Sequence, residues 1–84
     1  MEIILSREDI LAVVTKAMRN ISSNETLVVD DGVVFEDVEG WDSLNTVDLE
    51  MDLETNLDVS FATGEFQEYK SVKELVDALG DKTK

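Results

Sequence analysis

Three stretches of the chain repeat apolar residues at helical spacing, and the segments between them do not. The first runs Ile10, Leu11, Val14, Ala17, Met18 and Ile21, with Ser6 and Asp9 placed as an N-cap and a first-turn acid, and "NISSNE" closing it. The second opens at Asp42 or Ser43 and runs to about Leu57. The third opens with the capping box Ser71-x-x-Glu74, places Val72, Leu75, Val76 and Leu79 on one side, and has Gly80 positioned to end it. A short link, "DVSFAT", follows the second helix, and a brief helical turn is predicted over residues 64–69. Residues 25–41, "ETLVVDDGVVFEDVEGW", lack helical periodicity. They read either as a short hairpin around "DDG" or as a long loop anchored by Val33, Val34, Phe35 and Val38, and the loop is preferred because the other signals are helical. The expected fold is all-α: a small bundle of three main helices plus one short helix, with a long loop between the first and second, in a single domain over residues 1–84 with its core in about 6–80.

The second helix carries more apolar surface than docking on a core requires. At about 100° per residue, Leu49, Leu53 and Leu57 fall along one side with Thr46 beside them. Leu44, Val47 and Met51 fall along nearly the opposite side, near the direction of Ser43. Glu54 borders this second stripe on one edge, and Asp48 and Asp52 border it on the other. Two explanations stand: the long loop folds over the stripe and makes it core, or the stripe is displayed as a docking face with an acidic rim. Methionine, common on surfaces that fit several partners, favours display.

Charge sharpens the picture. Seven basic residues face twenty acidic ones, a formal net charge of −13. Residues 20–69 hold fourteen acids and no Lys or Arg. Such a field repels nucleic acid and anionic membranes and speeds encounter with basic protein surfaces, although solubility alone also accounts for it. The chain has no histidine and no cysteine, which removes the usual general base, the strongest nucleophile and the usual zinc ligands. The alternating acids of a calcium-binding loop are missing ahead of Gly32 and Gly40. The chain is therefore not expected to be an enzyme. No apolar run approaches the roughly 20 residues of a membrane span, and the N-terminal run covers only Ile3 to Leu5, so a cytoplasmic monomer is expected.

Ser43 has two readings. Serine is a favoured N-cap. A helix N-terminus also favours a phosphate ester, so a serine there can carry a phosphate-linked arm.

"GWDSLNTVDLEMDLE", residues 40–54, resembles the prosthetic-group attachment motif of the acyl carrier protein family. Phe35 and Val38 stand where that family places apolar loop anchors, and "VSFATGEFQEYKSVKELVDAL" resembles its short third helix and last helix. The resemblance covers about residues 6–80. It implies that Ser43 carries 4′-phosphopantetheine, with Asp42 and Leu44 as the flanking motif read by a phosphopantetheinyl transferase. It also implies that Leu44, Val47, Asp48, Met51 and Glu54 meet acyl-loading, condensing and tailoring enzymes with basic docking surfaces. The arm's thiol would hold acyl groups as thioesters in fatty acid, polyketide or related biosynthesis. A peptidyl or aminoacyl carrier of a hybrid peptide pathway is the alternative within the family, and a non-catalytic acidic interaction protein is the alternative outside it. Four features depart from the pattern: Asn45 after the Asp-Ser-Leu triplet, Trp41 before it, Glu50 at a commonly apolar position, and the "VVDDGVV" loop. They bear on the pathway, and a specialised route fits as well as lipid synthesis.

Overall fold

The computed structural model describes residues 5–83; Ile3 and Ile4, which begin the N-terminal apolar run, lie outside them. Three helices carry the fold: α1 (Arg7–Ser22), α2 (Ser43–Leu57) and α3 (Val72–Lys82). Two single 3-10 turns, Phe35–Asp37 and Phe66–Glu68, interrupt the connections. The expected all-α bundle is what forms, and the short helix over 64–69 is reduced to the second of these turns.

Local chemistry sets each start. Ser6 and Asp9 form a reciprocal capping box at α1, and Ser71 and Glu74 form another at α3. The ends of α1 and α2 pass through left-handed residues, Ser23 (φ 56) and Asp58 (φ 53). The expected stop at Gly80 is corrected: α3 continues to Lys82 and closes on Thr83, whose N–H and hydroxyl both donate to Leu79 O. Long-range contacts of Lys82 account for the extra turn. Its ammonium donates to Ser60 O at 2.9 Å, pairs with Glu65 at 3.0 Å and lies over the Phe61 ring.

α1 packs against both α2 and α3. The core is made by Ile10, Val14, Ala17 and Met18 of α1, Leu49 and Leu53 of α2, and Val72, Leu75, Val76 and Leu79 of α3. Val29, Phe35, Val59 and Phe66 fill it from the connections. No polar or charged residue is buried among the described residues, which is how so acidic a chain avoids desolvating a charge.

The long first connection is a loop, as preferred, but its extended part finds a partner elsewhere. Val34 bridges Ser71 in antiparallel fashion, Phe35 N–H donates to Lys70 O at 3.0 Å, and Val72 N–H donates to Val33 O at 2.9 Å. The β-favouring "VVF" therefore pairs with the entry to α3 rather than with "TLVV". Arg7 anchors the other side of the loop, bonding Asp31 at 2.8 Å and also pairing with Asp77 of α3.

Candidate functional site

The entry to α2 is fixed by residues 40–46. Gly40 takes φ +77, a conformation most side chains resist, and turns the chain into the helix. Trp41 follows, its ring stacked on Phe35 at 6.1 Å and its indole N–H donating to Thr46 Oγ1 at 3.1 Å. Asp42 is extended and is the N-cap: its Oδ1 accepts from Asn45 N–H at 3.0 Å, and its carbonyl accepts from Thr46 N–H at 3.1 Å.

That geometry separates the two readings of Ser43. Capping is done by Asp42, so Ser43 is the first helical residue, exposed to solvent. Elsewhere in the helices, hydroxyls fold back on the carbonyl four residues earlier: Thr15 to Leu11, Ser22 to Met18 and Thr55 to Met51. Ser43 has no helical carbonyl four residues behind it, and its hydroxyl makes no hydrogen bond among the described residues. The N–H groups of Ser43 and Leu44 are likewise without acceptors there, as the first turn of a helix dictates. A free hydroxyl beside two free N–H groups at the positive end of a helix dipole fits a phosphodiester.

Beside Ser43 lies a cleft of about 630 Å³. Phe35, Trp41, Thr46 and Val47 line one part of it, and Gln67, Tyr69 and Lys70 line the rest. Glu36 and Asp42 also border it, and Lys70 is the one cation among its lining residues.

The second stripe of α2 is displayed, not covered. Leu44 is 73% exposed, Met51 61% and Val47 42%. The long loop packs on the core through Phe35, Val33 and Val38 instead. Asp48 is exposed beside the stripe. Glu54 is half-buried, and one of its oxygens accepts Phe61 N–H at 3.1 Å, so this rim residue also holds the segment after α2.

The same segment carries an ionic cluster that composition did not reveal. Glu65 accepts from Tyr69 Oη at 2.5 Å, from Ala62 N–H at 2.9 Å and from Lys82. The Tyr69 hydrogen bond, then the Ala62 N–H and Lys82, lower its pKa to about 2. The Tyr69 hydroxyl is pushed up to about 12, chiefly by Glu65 and then by burial. Glu50 is half-buried on the facing side of α2 and sits above the ordinary carboxylate range, first through burial and then through Glu54 and Glu65.

Comparison with known proteins decides the family. The solution structure of a holo acyl carrier protein from Geobacter metallireducens superposes with a TM-score of 0.76, at 30% identity over 86% of this chain and 83% of that one. The chain belongs to the acyl carrier protein family. No protein-family model matches it, and no curated protein does. As an acyl carrier family member it presents the Asp-Ser-Leu triplet with the serine hydroxyl uncovered, and it has no helix among the described residues long and apolar enough to cross a membrane.

Proposed function

We propose that this protein carries acyl intermediates as thioesters on a 4′-phosphopantetheine arm attached to Ser43, and delivers them to partner enzymes in fatty acid, polyketide or related biosynthesis. The observation that carries the reading is the division of labour at the helix entry: Asp42 caps, and Ser43 is left exposed with an unbonded hydroxyl. When bound, the arm supplies the thiol that this cysteine-free chain lacks.

Attachment requires a separate transferase with Mg²⁺. Ser43 Oγ attacks the β-phosphorus of coenzyme A. The new Oγ–P bond replaces the bond to the α-phosphate oxygen, and adenosine 3′,5′-bisphosphate leaves. The hydroxyl proton passes to a base on the transferase, since this chain has no histidine or cysteine to take it. Asp42 and Leu44 present the serine and are read with it.

Leu44, Val47 and Met51 form the apolar centre of the docking face, with Asp48 and Glu54 as its acidic rim. Basic surfaces on acyl-loading, condensing and tailoring enzymes complement the rim, and the charge field speeds their approach. Contacts of this kind are expected to be short-lived and salt-sensitive, because a carrier has to be released. The protein works as a cytoplasmic monomer, with its carrier domain in about residues 6–80. The test is incubation with coenzyme A and a transferase, followed by intact mass measurement. A gain of one phosphopantetheinyl group, abolished in Ser43→Ala, is expected; an unchanged wild-type mass with several transferases contradicts the proposal.

A further inference from the structure

The start of α2 has little to hold it against the rest of the molecule. Asp42, Ser43 and Leu44 are exposed, and the first fully buried residue of the helix is Leu49, about two turns beyond the cap. Asp42 serves the first turn locally, accepting Asn45 N–H at 3.0 Å and Thr46 N–H at 3.1 Å. Those bonds close the turn on itself and tie it to no other element. A helix start held only by its own cap frays, because every residue it fixes loses backbone entropy.

One contact supplies the missing tie. The Trp41 indole N–H donates to Thr46 Oγ1 at 3.1 Å. Apart from the Asp42 cap and the Thr46 back-bond to it, this is the one side-chain hydrogen bond to residues 43–46 among the described residues. With its oxygen engaged as acceptor, the Thr46 hydroxyl donates onward to Asp42 O at 3.3 Å, so the indole steadies the carbonyl that closes the turn. The indole is held in its own right. It packs against the core and stacks on Phe35 at 6.1 Å, and its backbone N–H donates to Val38 O at 3.0 Å. Phe35 is buried, and its N–H donates to Lys70 O at 3.0 Å. A continuous path runs from the entry of α3, through two stacked rings, to the first turn of α2.

We propose that Trp41 and Thr46 are positioning residues for the modification of Ser43: their hydrogen bond keeps the first turn of α2 in the ordered form that the transferase reads. The proposal rests on the attachment reading above. Neither side chain touches the reacting atoms, so the effect falls on the free protein before encounter. When only a fraction of molecules has the competent turn, apparent affinity falls by that fraction. A bound carrier then reacts at the ordinary rate, since the base and the metal belong to the transferase. The signature is a raised KM for this protein with kcat unchanged, and its size follows from one net hydrogen bond, about 2- to 10-fold.

The test measures initial rates of phosphopantetheinyl transfer by intact mass, with coenzyme A saturating and the full chain varied. Trp41→Phe keeps a ring for Phe35 and removes the donor. Thr46→Val keeps the shape and removes the acceptor. Each is expected to raise KM about 2- to 10-fold, and the double variant by the same factor rather than the product, because both remove one bond. Thr46→Ser keeps the acceptor and is expected to restore the wild-type KM. Amide hydrogen exchange on the same proteins is expected to quicken at Asn45 and Thr46 while Leu75 and Val76, fully buried in α3, stay unchanged. No mass increase in wild type overturns the attachment reading and this one with it. Normal modification of wild type with an unchanged KM in Trp41→Phe and Thr46→Val overturns the positioning role alone. So does a multiplicative double variant, a fall in kcat at constant KM, or exchange that quickens equally at Leu75 and Val76, which marks a general loss of stability.

Discussion

Replacing Asp42 and Ser43 one at a time by alanine separates fold from function at the start of α2. Asp42→Ala removes the carboxylate that accepts Asn45 N–H at 3.0 Å and leaves that donor to water. Loss of such a cap costs about 1 kcal/mol. For a domain this small, that lowers the melting temperature by about 4–8 °C. Ser43→Ala removes a hydroxyl that bonds nothing among the described residues, at an exposed helical position where alanine is the better helix former. Its stability is expected to stay within about 0.5 kcal/mol of wild type. Thermal unfolding followed by circular dichroism reads both. If Ser43→Ala loses as much stability as Asp42→Ala, the serine is a structural residue and its freedom for modification has been misjudged.

Other expectations follow from the core, the carboxylates and the docking face. Leu53→Ala, at a fully buried position, should lose about 2–5 kcal/mol in denaturant unfolding, a large part of the stability of so small a domain. Glu65 has a folded pKa depressed from 4.5 to about 2, so its stabilising contribution is complete above pH 4.5 and is lost as pH falls toward 2. A Glu65→Gln variant should therefore show a shallower fall in stability over that window. Glu50 is shifted the other way: its ionised form opposes folding, and the penalty disappears as pH falls below 4.5. Glu50→Gln should raise the melting temperature at pH 7 and lose that advantage in acid. Met51→Glu should leave stability within about 0.5 kcal/mol, because the side chain is 61% exposed, while slowing transfer to partner enzymes; unaffected transfer with every partner would remove Met51 from the interface.

Much of this structure is legible along the chain because its signals are local. The N-cap at Ser6, the capping box at Ser71 and three apolar periodicities give helix positions to within a residue or two, since each depends on contacts spanning four residues. The exception is the end of α3. Gly80 is a reasonable local stop, but Lys82 is held by Ser60, Glu65 and Phe61, about twenty residues back, and those contacts carry the helix onward. The first loop fails in the same way: "VVF" shows that it wants an extended partner but not that the partner is Lys70–Val72. Val29, buried in the core, sits in a stretch without periodicity and carries no mark of its depth. At the site, the sequence leaves open which residue caps α2, because "DS" serves equally for either, and only the fold shows that Asp42 caps and Ser43 keeps its hydroxyl unbonded among the described residues. Trp41 became intelligible only once Phe35 and Thr46 were brought beside it.

The most direct measurement is peptide mapping of protein incubated with coenzyme A and a transferase. Cleavage after Glu39 and Glu50 yields the peptide of residues 40–50, whose hydroxyl side chains are Ser43 and Thr46. Fragmentation should place one phosphopantetheinyl group on Ser43, with Thr46 unmodified. A group found on any other residue, or a bare peptide from protein whose partner reactions proceed normally, would contradict the carrier role assigned to this serine.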